Sequence, residues 1–289
     1  MRKVVISGKD SYIGKHIKDW LQASGEYLVE ELDVQAEVWR EYDFAGTEIV
    51  VHVAGIVHRP DIKEWSIYEK VNVQLPIKIA QRAKKQGVKQ FVFISTMAVY
   101  GQMKKLKKNV IYADTPIRPI DMYGHSKFLA EEELRNIEDG DFKVTIVRPP
   151  NVYGKGCKGN YINRFVSVVK KLPVIPSAYC DIKQSMIYID NLSNFIKVLI
   201  EDEAAGIYMP QDEEIVNTVE LLETISHSLG RPLKRSKFAG GIVMALQWMP
   251  IVKKAYGGIE YDFEISKYNN KKYAVISFEE AIKETVGEG

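Results

Sequence analysis

Short runs of β-branched and aromatic residues recur along the chain at Val4–Ile6, Ile49–Ala54, Phe91–Ser95 and Val144–Val147. None alternates cleanly with polar residues, which is how strands covered on both faces of a parallel sheet read. Tyr27–Leu32 supplies a further strand after the first. Between these runs the apolar spacing lengthens to three and four. Ile13, Ile17 and Trp20/Leu21 share one helix face, and Val73, Ile77 and Ala80 share another that Gly87 would stop. Phe128, Leu129 and Leu134 belong to a third helical stretch opening near Tyr123. This alternation predicts βαβ units and an α/β fold, a doubly wound parallel sheet. One more run, Met186–Ile189, with a helical pattern through Ile200, is expected to return to that sheet.

After about Gly154 the rhythm breaks, with Pro173, Pro176 and Pro210 punctuating the chain. The expected division is a dinucleotide-binding domain, 1–154 plus 182–207, and a smaller C-terminal substrate-binding lobe, 155–181 plus 208–289. Ligands bind at the carboxyl edge of open α/β sheets, so a cleft there is the expected site.

Composition narrows the classes. The 289 residues are 46% hydrophobic and 27% charged, the balance of a globular chain. With 40 Lys+Arg against 38 Asp+Glu, the net charge of +2 gives no electrostatic reason to expect nucleic acid. Cys157 and Cys180 form no disulfide framework, and two free thiols fit a reducing cytoplasm. The N-terminal apolar run is too short for a signal peptide, and no stretch is long enough for a membrane span. Gly240–Val252 is read as a core or interface helix, with a membrane-surface contact as the alternative. The five histidines include no metal-binding pattern, and no metal is expected. Lys104–Lys108 reads as a solvated basic loop, and Glu131–Glu133 as an exposed helix face.

The candidate chemistry lies at strand ends. Ser7-Gly8-Lys9-Asp10-Ser11-Tyr12-Ile13-Gly14 joins the first strand to a helix whose N-terminus can receive a pyrophosphate. Asp33, 25 positions after Gly8, can bind ribose hydroxyls and would repel a 2′-phosphate, which favours NAD over NADP. Tyr123 and Lys127, four apart, share a helix face. A cation there favours tyrosinate, and such a phenol can exchange a proton with a sugar hydroxyl. Thr96 ends a buried strand within reach of the reacting oxygen, and Arg148–Gly154 forms a proline-fixed turn after the next.

Taken with His52–Gly55, Val71–Val73, Phe93–Gly101, Tyr123–Lys127, Arg148–Gly154 and Ile187–Leu192, the chain resembles the extended short-chain dehydrogenase/reductases of the NAD-dependent epimerase/dehydratase family. The likeness covers nearly the whole chain and implies a Rossmann fold. It is nearest to the branch holding nucleotide-sugar 4-epimerases and 4-keto-reductases. The resemblance implies Tyr123 as acid/base, Lys127 on the nicotinamide ribose and Thr96 on the sugar O4. It places Gly8, Ser11, Tyr12, Ile13, Gly14, Asp33, Asp43, Phe44, Val53, Ala54, Gly55, Asn72, Ser95 and Pro149 at the cofactor, Asp43 and Phe44 as the pair at the adenine. It places Asn151, Asn160 and Gln184 at the substrate. It also implies a UDP-sugar substrate and a homodimer.

Two departures stand out. Ser11 replaces a glycine of the phosphate loop, and Gln184 replaces the arginine that usually meets the substrate diphosphate; Lys183, Arg164 or Lys158 are the candidate substitutes. The leading expectation is C4 epimerisation of a UDP-hexose or UDP-N-acetylhexosamine. The alternatives are NAD(P)H-dependent reduction of a UDP-4-keto-6-deoxy-hexosamine, or an NAD(P)-binding regulator without activity. A dehydratase is disfavoured because Met97 follows Thr96 where an acidic pair would stand.

Overall fold

The computed structural model describes residues 1–35, 37–57, 61–157 and 161–287. Asn160 and Lys158, two of the expected substrate contacts, lie outside the described residues. The chain divides into two compact units. Unit one comprises 1–101, 116–149 and 192–210; unit two comprises 102–115, 150–191 and 211–289.

Unit one is built on a six-stranded sheet. Its strands are β1 Arg2–Ser7, β2 Tyr27–Leu32, β3 Ile49–His52, β4 Gln90–Ile94, β5 Lys143–Val147 and β6 Gly206–Tyr208. They run parallel in the order β6-β5-β4-β3-β1-β2, so the direction of winding reverses beside β1. Alternate residues explain the doubly covered sheet. Val5, Val50, Phe91, Phe93, Val144 and Ile146 share one core with Ile79, Ala80, Ala83, Ala130 and Leu134 of the helices Leu75–Lys85 and Met122–Arg135. The helices Tyr12–Ala23 and Ile189–Glu201 are tied together by Trp20 Nε1 donating to Asn194 Oδ1 at 3.2 Å. Chains with this winding bury both sheet faces, which is why the strands carried no polar alternation.

The expectation for Met186–Ile189 is corrected. Met186–Tyr188 pairs in parallel with Asn151–Tyr153 in unit two, and the sixth strand of the large sheet is Gly206–Tyr208 instead. Gly206 and the short length of that strand hid it from a search for apolar runs. The division also differs from the expected one: 102–115, 150–154 and 182–191 belong to unit two, and 208–210 to unit one. Val110–Ile111 pairs there with Glu260–Tyr261, and Lys183–Gln184 with Val216–Asn217.

Unit two is a set of short strand pairs under helices. Its polar centre is Asp212, which accepts from Tyr153 Oη at 2.8 Å, the Tyr188 amide at 3.1 Å and Asn191 Nδ2 at 2.8 Å. Asn217 caps the helix Thr218–Ser228 reciprocally with Glu220. Among the described residues, no helix is long and apolar enough to cross a membrane.

Candidate active site

Unit one holds a cavity of about 860 Å³ lined by Gly8–Ser11, Asp33–Gln35 and Val53–Ile56. These segments follow β1, β2 and β3, at the reversal of winding. Gly8 has φ +126°, and a Cβ on it would lie 2.8 Å from the Ala54 amide nitrogen. A side chain there would push the two strand-end loops apart. Ser11 takes the N-cap of the helix Tyr12–Ala23, its Oγ accepting from the Gly14 amide at 3.2 Å. A Cβ on Gly14 would in turn come within 2.5 Å of that Oγ. Asp10, at φ +62°, pairs with Lys15 at 2.9 Å, and that bond holds its carboxyl below the usual range. A dinucleotide fits this place: the backbone is bare at Gly8 and Gly55, a helix begins at Ser11, and the volume suits a ligand of that size.

Asp33 lines the cavity and accepts from the Gln35 amide at 2.9 Å. Glu37 and Arg40, which sequence reasoning missed, line it too and pair with each other. They follow a turn rather than a periodic element, so no pattern announced them. Asp43 and Phe44 are not among the lining residues. Phe44 is buried in the core, and its amide donates to Gln86 Oε1 at 2.5 Å.

Asn72 is fully buried and clamps the loop after β3. Its Oδ1 accepts from the Ile56 amide at 2.7 Å, and its Nδ2 donates to the Ile56 carbonyl at 2.9 Å and to Ser126 Oγ at 2.9 Å. Ser126 sits between Tyr123 and Lys127, so the clamp fixes the Gly55 loop against their helix. That helix starts at Asp121, whose carboxylate accepts from the Gly124 amide at 2.7 Å. Lys127 Nζ donates to the Ile94 carbonyl at 2.8 Å and lies 4.3 Å from the Phe93 ring centre. Burial pushes its pKa down to about 7, against the pull of Glu131. Tyr123 is half-buried. Burial pushes its phenol up to about 12, while a hydrogen bond from Thr96 opposes that shift. The expected lowering by Lys127 is therefore not what sets the phenol here: burial does, and Lys127 is turned onto the end of β4. Thr96 also accepts from the Ala98 amide at 3.1 Å, capping the short turn Met97–Tyr100.

Glu131, expected on an exposed face, is fully buried, while Glu132 and Glu133 are exposed. Arg148 Nη2 meets Glu131 Oε2 at 2.5 Å, and its Nη1 donates to Tyr100 Oη at 2.9 Å. Burial alone would lower the Arg148 pKa, but Glu131 and Tyr100 raise it overall. Ser95, expected at the cofactor, donates to Glu131. Pro149 accepts from the Met97 amide at 3.0 Å. His52 is sealed between Phe91 and Phe93, with Nδ1 2.7 Å from Ser7 Oγ and Nε2 without a hydrogen-bond partner. Burial, then Lys127, pushes its pKa down to about 3, so the ring is neutral.

In unit two, Asn151 is exposed at the start of its strand, as are Lys183 and Arg164. Gln184 is buried, its Oε1 accepting from Lys104 Nζ at 3.0 Å, and its Nε2 has no hydrogen-bond partner. Lys104 therefore is not part of a solvated loop. Burial, with Lys254 nearby, brings its pKa down to about 8.

Residues 4–207 match the NAD dependent epimerase/dehydratase family. The chain belongs to that family. The UDP-glucose 4-epimerase of Vibrio cholerae is 27% identical over 253 residues, covering 80% of this chain and 77% of the relative. The N-acetyl-alpha-D-glucosaminyl-diphospho-ditrans,octacis-undecaprenol 4-epimerase of Escherichia coli O157:H7 is 31% identical over 250 residues, 85% of this chain and 70% of the relative. In fold, the chain is similar to the UDP-glucuronic acid 4-epimerase of Bacillus cereus, crystallised with NAD, at a TM-score of 0.73 and 14% identity over 99% of this chain and 95% of that one. Ser11, where the family resemblance led us to expect a glycine, caps the helix Tyr12–Ala23, and Lys104 Nζ lies on Gln184, where it led us to expect an arginine.

Proposed function

We propose that this family member is an NAD-dependent 4-epimerase of a diphosphate-linked hexose or N-acetylhexosamine, with UDP-sugars as soluble substrates. The observation that carries the reading is the grouping of Thr96, Tyr123 and Lys127 in one unit with the cavity lined by Gly8, Asp33 and Gly55, large enough for a dinucleotide. NAD supplies the acceptor and donor of hydride at C4. Gly8, Ser11 and the first turn at Tyr12 and Ile13 would hold its pyrophosphate, Asp33 its adenosine ribose, and Val53, Ala54 and Gly55 would pass beneath it. Lys127 would leave the Ile94 carbonyl for the nicotinamide ribose. Tyr123 would take the proton from O4 and return it, with Thr96 holding that oxygen and stabilising the phenolate. Charge from Lys127 and from oxidised NAD is needed to bring the Tyr123 phenol down from about 12. Asn151 and Gln184, the latter with Lys104, would hold the sugar diphosphate. A homodimer and a cytoplasmic location complete the reading; light scattering of the purified protein tests the first.

The test is incubation of the purified protein with UDP-N-acetylglucosamine or UDP-glucose, with products read by NMR. Inversion at C4 without added reduced cofactor supports the epimerase. Consumption of NAD(P)H with a UDP-4-keto sugar, and no inversion, would replace it by the reductase. Neither activity would leave an NAD(P)-binding regulator.

A further inference from the structure

The segment read as a core or interface helix is not part of the core, and it is two short helices rather than one. In unit two, the helices Lys237–Ala245 and Pro250–Tyr256 and the turn between them present Phe238 at 81% exposure, Trp248 at 72%, Ile251 at 65%, Met244 at 50% and Ile242 at 49%. Their other side is fixed. A Cβ on Gly240 would meet the Ser177 carbonyl oxygen at 2.1 Å, so that helix lies directly on the backbone beneath it. Tyr256 Oη donates to the Pro176 carbonyl at 3.2 Å, and Thr218 Oγ1 to the Ala255 carbonyl at 2.7 Å. Phe238 and Ile242, four apart on one helix face, are turned away from this packed base, and so many large apolar side chains left exposed within one short segment mark an interaction surface.

Charge identifies the partner. Residues 224–259 contain six Lys and Arg and no Asp or Glu, in a chain whose net charge is only +2. Lys237 opens the first helix, while Lys253 and Lys254 lie in the last turn of the second. The basic run 104–108 joins them, because Lys105 bridges to Gly258. Lys105, Lys107 and Lys108 are exposed. A two-fold interface with a second copy would set these cations against themselves. Aromatic and aliphatic side chains rimmed by lysines match the interface of an anionic membrane, where rings sit at headgroup depth and cations meet phosphate.

We propose that the Lys237–Tyr256 face docks this protein on an anionic lipid bilayer. Docked there, an enzyme of the activity proposed above meets sugars linked through diphosphate to a lipid carrier as well as free nucleotide-sugars; that consequence rests on the proposed activity, whereas the docking does not.

The test is flotation of the full chain with vesicles of phosphatidylglycerol and phosphatidylethanolamine, against vesicles of phosphatidylcholine alone. Binding is expected to the anionic vesicles only and to weaken with salt. Phe238→Asn with Trp248→Asn should lower it by about tenfold or more, and Lys253→Gln with Lys254→Gln by about fivefold for each lysine. Circular dichroism should be unchanged in both variants, and turnover of a UDP-sugar unchanged in the aromatic variant; the lysine variant is read by flotation alone, since Lys254 also acts on Lys104. No flotation with anionic vesicles, equal flotation of the variants, or a dimer that the aromatic variant dissolves would overturn docking. Flotation without turnover of any sugar would overturn the proposed activity alone.

Discussion

Replacing Glu131 by leucine removes the counter-charge of a guanidinium that has almost no access to water: the side chains of Arg148 and Glu131 are 5% and 0% exposed. The Tyr100 hydroxyl and ring remain beside Arg148, but neither carries charge. Breaking one partner of such a buried pair costs about 3–5 kcal/mol. The Ser95 hydroxyl loses its acceptor as well. Replacing both, Glu131→Leu with Arg148→Met, leaves apolar side chains of similar volume, which is often neutral or stabilising by about 1–4 kcal/mol. The expected cycle is therefore a severely weakened Glu131→Leu protein and a double variant close to wild type. Urea unfolding followed by circular dichroism and fluorescence, with the transition of unit one fitted separately, measures both. A single variant within about 1 kcal/mol of wild type would refute the reasoning, because a buried unpaired charge cannot be that cheap. A double variant no better than Glu131→Leu would show that packing, not charge, is at stake.

Three further outcomes follow from the geometry. NAD should bind more tightly than NADP, and Asp33→Ser with Glu37→Ser should narrow the gap, because Asp33 and Glu37 oppose a 2′-phosphate while Arg40 is held by Glu37; tighter NADP binding to the wild type in a calorimetric titration would contradict it. Lys104→Met should raise KM for a UDP-sugar about tenfold, by loss of a charge-assisted contact, with kcat little changed. In the wild type the same rise should appear above pH of about 8, where Lys104 loses its proton; a pH-independent KM would exclude the role. Asp212 is pushed up to about 6 by burial, so the native state binds more protons than the unfolded one between the usual 3.8 and that value. Its stabilising contribution is present below 3.8 and is lost as pH rises through about 6. Asp212→Asn should gain stability relative to wild type over that window, by on the order of 3 kcal/mol, and a constant difference in urea midpoints from pH 4 to pH 7 would disprove it.

The large sheet was legible in the sequence because burial on both faces leaves a local signature. Four of its strands stand out as unbroken apolar runs, and their helices show a regular spacing. The sixth strand, Gly206–Tyr208, has no such signature; it is short and begins with glycine. Met186–Tyr188 has the right composition but pairs in unit two, since composition does not say which strand is a neighbour. At the site, Gly8 was readable because a close backbone approach demands glycine, and a Cβ there would meet the Ala54 amide; Ala54, Gly55 and Asn72 came only from the family resemblance. Pair partners were not. Nothing local distinguishes Glu131 from Glu132, and only the arrival of Arg148 from another strand decides which is buried. Lys104 likewise looks like its neighbours in a basic run until Gln184 is placed beside it. The apolar segment 240–252 was read as a core or interface helix, with a membrane-surface contact as the alternative, because apolar composition does not say which side is covered; here Gly240 seats its helix on Ser177.

The measurement that bears most directly on the central claim is C4 inversion of a UDP-sugar by the wild type and by Tyr123→Phe, alongside NAD affinity for each. The account predicts inversion by the wild type, a loss on the order of 100-fold or more in Tyr123→Phe from removal of the proton-transfer group, and NAD affinity unchanged within about twofold, a free-energy difference below 1 kcal/mol. Full turnover by Tyr123→Phe, or inversion at a carbon other than C4, would contradict it.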